Sequence, residues 1–107
     1  MKRIRILVAD DHALLRRGLV TLLNYQKDLA VVGEAANGRE TVKKAAELKP
    51  DVVILDLSMP LMDGVEVTQK IRETQSETRI LILTSFGTSV DVARAVRSGA
   101  SGALVKD

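Results

Sequence analysis

Apolar positions along the 107-residue chain fall into two alternating patterns. Ile4 to Ala9, Val31 to Ala35, Val52 to Leu55, Ile80 to Leu83 and Ala103 to Val105 are short runs rich in Val, Ile and Leu. Runs of this kind suit strands buried on both faces, as in a parallel sheet. Between them, apolar residues recur at helical spacing. The first such stretch, roughly Ala13 to Tyr25, puts Leu15, Leu19, Leu22 and Leu23 on one face. The second, Arg39 to Leu48, carries Val42, Ala45 and Ala46, and Pro50 ends it. The third, Val65 to Thr74, carries Val67 and Ile71. The fourth, Ser89 to Ser98, carries Val92, Ala93 and Val96, with Gly99 where a left-handed cap belongs.

Strands alternating with helices predict an α/β fold with a parallel sheet and right-handed crossovers. The length suits one domain with a real core. No repeat, linker or low-complexity segment interrupts it. No apolar stretch is long enough to span a membrane, and the run behind Met1-Lys2-Arg3 meets Asp10 too soon for a signal peptide. Cysteine is absent, so disulfides and thiolate metal sites are excluded, and cytoplasmic residence is the default expectation. The 16 basic and 14 acidic residues are interspersed. Lys2-Arg3, Arg16-Arg17 and Lys43-Lys44 therefore read as solvated faces rather than a nucleic-acid patch. Tyr25 and Phe86 are the only aromatics, too few for a platform that stacks bases.

Ligands of open parallel sheets bind outside the carboxyl ends of the strands. Polar residues gather at those ends: Asp10 and Asp11 after the first run, Asp56 after the third, Thr84 and Ser85 after the fourth, and Lys106 after the fifth. Three carboxylates so close repel one another, and a hard divalent cation removes the conflict. Mg²⁺ takes oxygen ligands, is typically held by one or two carboxylates, and keeps positions open for a phosphoryl oxygen. Asp56, at the centre, is placed to act as a nucleophile and form an acyl phosphate. Lys106 pairs with Asp56 or with an incoming phosphoryl group, and Thr84 donates a hydrogen bond to it.

Simpler readings exist for single members. Asp10 or Asp11 can cap the first helix, and Asp63 before Gly64 reads as a cap of the third. Thr84 and Ser85 can be loop hydroxyls. His12, the only histidine, reads as a surface residue at a helix start rather than as a ligand or base. Chance convergence of all the members on one rim is much harder to accept.

Over essentially its whole length the chain resembles the receiver domain of two-component response regulators. The resemblance rests on "VADDH" (Asp10, Asp11), "ILDLSMPLMDG" around Asp56, "LTS" at Thr84 and Ser85, and "GASGALVKD" with Lys106. The "DDH" start and "VVGEAANG" are most similar to regulators with a NarL/LuxR-type helix-turn-helix output domain. This implies a flavodoxin-like, doubly wound, five-stranded sheet of order 2-1-3-4-5. It implies that Asp56 accepts a phosphoryl group from a sensor histidine kinase. Mg²⁺ would be held by Asp10, Asp11, Asp56 and the backbone carbonyl of Ser58, with Thr84 and Lys106 on the phosphoryl group and Ser85 beside them. Movement of Thr84 would carry the signal to the fourth helix and fifth strand, and so to a DNA-binding domain that controls transcription.

Three departures from the family pattern stand out. Ala103 occupies the place of the usual Tyr or Phe three residues before the lysine, so the aromatic half of the switch is missing, with Phe86 an alternative source of bulk. Asp107 rather than Pro follows Lys106, so a trans peptide is expected there. The usual fifth helix is absent from residues 1–107, which predicts a C-terminally truncated receiver, exposed apolar surface on the first helix, and self-association such as a homodimer. Any contact with DNA is expected beyond Asp107. The domain is read as a switch, not a turnover enzyme. A phosphohydrolase of similar sheet usually has a second acid two residues after its nucleophile, where this chain has Ser58. A nucleotide-binding module lacks its Gly-rich loop here. A scaffold with a disabled output step is kept open by Ala103.

Overall fold

A computed structural model describes residues 3–56, 64–84 and 101–105. Its elements run β1 (Ile4–Ala9), α1 (Ala13–Tyr25), β2 (Leu29–Ala35), α2 (Gly38–Leu48), β3 (Val52–Asp56), α3 (Gly64–Thr74), β4 (Arg79–Thr84) and β5 (Gly102–Val105). The strands form one parallel sheet in the order β2-β1-β3-β4-β5. The expected parallel α/β architecture is therefore present. The helix expected at Ser89 to Ser98, its cap Gly99, and the cap at Asp63 lie outside the described residues. Among the described residues, no helix is long and apolar enough to cross a membrane.

Strand boundaries differ from the apolar runs because backbone pairing does not stop where apolar side chains stop. Leu29 already pairs with Ile4, so β2 begins two residues before Val31. Asp56 pairs with Leu83, so the acid belongs to β3 instead of following it. The β1–β2 register shifts between Ile6 and Leu7, passing over Val32.

Strand residues alternate between the two faces of the sheet. Leu7, Ala9, Val53, Leu55, Ile80 and Ile82 point to one side, where they pack with Ala45 of α2 and with Val67 and Ile71 of α3. Ile6, Val8 and Ile54 point to the other, against Leu19, Val20 and Leu23 of α1. Each fully buried aliphatic side chain is worth about 1.5–3 kcal/mol of transfer free energy.

Helix α2 is bounded by specific chemistry. The Asn37 side chain accepts the Glu40 N–H at 2.8 Å, and the Glu40 carboxylate reaches back to the Ala36 N–H at 3.0 Å, a variant of the capping box. At its other end Lys49 adopts φ 48, ψ 59, a left-handed turn just before Pro50, at a cost of about 1 kcal/mol for a residue with a Cβ. The Lys49 carbonyl accepts from Arg5 Nη1 at 2.9 Å, and the Asp51 carboxylate accepts the Arg5 N–H at 2.9 Å. These bonds fasten the amino ends of the strands, opposite the acidic rim.

Along β2 two flanking helices supply partners to the strand backbone. Asn24 Oδ1 of α1 accepts the Val31 N–H at 2.9 Å, and Lys44 Nζ of α2 donates to the Glu34 carbonyl.

Candidate functional site

Strands β1 and β3 deliver two acids to one level of the rim. Ala9 pairs with Leu55, so the next residue on each chain is an aspartate, Asp10 and Asp56. The Asp10 N–H still bonds to the Ala35 carbonyl at 3.0 Å, which keeps the backbone strand-like one residue past β1. Asp56 is 0% and Asp10 1% exposed. Buried carboxylates are costly unless paired, and no buried side-chain N or O atom among the described residues lacks a partner. Asp10 Oδ1 accepts the His12 N–H at 2.8 Å. Asp11 turns outward and is partly exposed.

His12 matches its sequence reading as a surface residue at a helix start, with carboxylate neighbours that the reading did not include. It does begin α1, as the N-cap, and its ring is mostly exposed. Yet the ring makes no capping bond; Nδ1 lies 3.1 Å from Asp10 Oδ1, 3.2 Å from Asp11 Oδ1 and 3.9 Å from Asp56 Oδ2. Its place next to the acid pair was the only signal in the sequence. Neither Asp10 nor Asp11 is the cap residue itself; the Asp10 carboxylate instead takes the amide of the cap residue.

Arg16 departs from expectation. Read as half of a solvated pair, it is largely buried beneath the rim. Its Nη1 donates to the Asp10 carbonyl at 2.6 Å and its Nε to Glu34 Oε1 at 3.0 Å. Arg17, which does face solvent, donates to Glu34 Oε2 at 3.0 Å. Glu34 thus orients the arginine that grips the peptide carrying Asp10. The reason sequence missed it is plain: Glu34 and Arg16 meet only because β2 lies beside β1.

Thr84 is the last residue of β4, and its backbone pairs with Val105, one residue before Lys106. The hydroxyl of Thr84 and the side chain of Ala103 lie outside what the structure describes. So do Ser58, Ser85, Phe86, Lys106 and Asp107.

Donor atoms from Asp10, Asp11, His12 and Asp56 all lie within 4.8 Å of one another. Three carboxylates crowded this closely, two of them buried, suit a divalent cation. The set therefore fits a metal that bridges β1 and β3.

Comparison with known proteins identifies the family. Residues 6–107 match the model of the response regulator receiver domain. The transcriptional regulatory protein LnrK of Bacillus subtilis is 42% identical over 97% of this chain and 47% of its own length. The response regulator protein VraR of Staphylococcus aureus is 43% identical over 96% of this chain and 49% of its own. The chain spans about half the length of these curated relatives. Among solved structures, the signal receiver domain of the response regulator NarL from Mycobacterium tuberculosis superposes with a TM-score of 0.95 at 36% identity. That match covers 100% of this chain and 86% of the other.

Proposed function

This chain belongs to the response regulator receiver domain family, and from that premise we propose that Asp56 is its phosphoacceptor, receiving the group from a sensor histidine kinase. The observation that carries the reading is a wholly buried aspartate at the end of the central strand, within ligand distance of two further acids. An oxygen of Asp56 attacks phosphorus, an O–P bond forms, and the P–N bond to the kinase histidine breaks. The electron pair leaves with the imidazole. Asp10, Asp11 and Asp56, with the Ser58 carbonyl, would hold Mg²⁺. When bound, the cation supplies positive charge against the transferring group. Burial excludes water from Asp56, and Arg16 fixes the peptide of Asp10.

Thr84 and Lys106 contact the phosphoryl group in this proposal, with Ser85 nearby. The domain acts as a switch that biases existing conformations rather than as a turnover enzyme. The readout passes to a DNA-binding domain in the remainder of a longer protein; its relatives are twice this length. We place it in the cytoplasm, where such a kinase presents its phosphohistidine. Self-association through the leucine-rich outer face of α1 belongs to the same proposal.

Incubation with Mg²⁺ and acetyl phosphate, followed by intact mass measurement, tests it. One added phosphoryl group is expected, lost in Asp56→Ala. No adduct, together with no binding of beryllofluoride, overturns it. Steady release of phosphate from small phosphoesters identifies a hydrolase instead.

A further inference from the structure

We propose that His12 is a further protein ligand of the cation held by Asp10, Asp11 and Asp56, and that its nitrogen raises the affinity of the site for divalent metals such as Ni²⁺ and Zn²⁺ relative to Mg²⁺. The inference rests on the reading of those three acids as metal-holding.

The argument is geometric. Around a metal with bonds of about 2.1 Å, neighbouring octahedral ligands sit about 3.0 Å apart and opposite ones about 4.2 Å. Nδ1 of His12 lies 3.1 Å from Asp10 Oδ1 and 3.2 Å from Asp11 Oδ1, both close to an octahedral edge. Its 3.9 Å distance to Asp56 Oδ2 falls between edge and diagonal. All four donors fit within 4.8 Å, the span of one coordination sphere with slight relaxation.

The ring is not there by accident of a loose surface rotamer alone. The 2.8 Å bond from the His12 N–H to Asp10 Oδ1 closes a tight turn that brings the residue back over the acid. Its backbone, at φ −87 and ψ 96, is extended, and α1 starts at the next residue. The imidazole is therefore held at the mouth of the site, with the buried acids behind it and solvent in front.

Imidazole changes which metals such a site prefers. Carboxylates and carbonyls suit Mg²⁺ and Mn²⁺, whereas an added nitrogen raises affinity for Ni²⁺ and Zn²⁺. A competing role is a simple hydrogen bond from Nδ1–H to Asp10, which leaves the metal with oxygen ligands alone.

Electron spin-echo spectroscopy of the Mn²⁺-loaded protein separates the two. Coupling to a ¹⁴N nucleus is expected in the native chain and absent in His12→Ala. In the same variant, Ni²⁺ affinity by calorimetry falls at least about tenfold while Mg²⁺ affinity changes less than about threefold. His12 is exposed, so the variant folds, and an unchanged far-ultraviolet dichroism spectrum checks this. Absence of ¹⁴N coupling in the native protein, or equal losses for Ni²⁺ and Mg²⁺, overturns the inference. Labelling of Asp56 by acetyl phosphate survives that outcome, so the two readings fail separately; a native protein that binds neither Mn²⁺ nor Mg²⁺ overturns both.

Discussion

The two faces of the sheet are built from the same kinds of residue and end in different states. Toward α2 and α3, Leu7, Leu55, Val67, Ile71, Ile80 and Ile82 are all but inaccessible to water. Toward α1, only Ile6, Val8 and Ile54 reach that condition, and Leu81 and Leu83 are half-covered. No residue of α1 is buried, and Leu14, Leu22 and Tyr25 stand largely in solvent. An apolar stripe at helical spacing therefore names a surface that wants covering. It does not say whether the rest of the described chain covers it.

That contrast sets the size of mutational effects. The largest is expected for Ile82→Ala or Leu7→Ala, which empties the closed face and costs about 3 kcal/mol, read as a lower urea midpoint at constant m-value. Next comes Gly33→Val on the same face. A Cβ at Gly33 meets Leu48 Cδ1 at 2.7 Å and Leu7 Cδ1 at 3.3 Å, so overpacking of about 1–2 kcal/mol is expected in the same titration. Asn37→Ala, which removes the cap of α2, is expected to cost about 1 kcal/mol and to lower the thermal midpoint. Smallest is Leu22→Ser on the open face, within about 0.5 kcal/mol of the native stability. Its effect appears in sedimentation instead: if the α1 face mediates self-association, the variant dissociates at concentrations where the native chain is associated. A large stability loss from Leu22→Ser would erase the contrast between the faces.

Much of this was legible in the sequence, for identifiable reasons. Strands read as unbroken apolar runs because a sheet covered on both sides leaves no polar face to mark alternation. The acids Asp10, Asp11 and Asp56 announced themselves because each follows such a run. Comparison with relatives upholds the family reading. What sequence order hid was lateral. Arg16 looked like half of a surface pair, yet it bridges Glu34 and the Asp10 carbonyl across the β1–β2 boundary. His12 looked like a bystander until its ring was found over three carboxylates. Neighbours across strands carry no signature in spacing along the chain. The missing aromatic at position 103 is plain in the sequence, and its bearing on the switch belongs to side chains outside the described set.

The bonds from Asn24 and Lys44 to the backbone of β2 have a consequence for how copies of this molecule meet. β2 lies at the margin of the sheet, where free amides and carbonyls would template another strand. Here the Val31 amide is taken by a side chain from one face and the Glu34 carbonyl by a side chain from the other. A second molecule would have to displace both before it could zip on. Growth of the sheet into a ribbon of copies is thereby hindered at this margin.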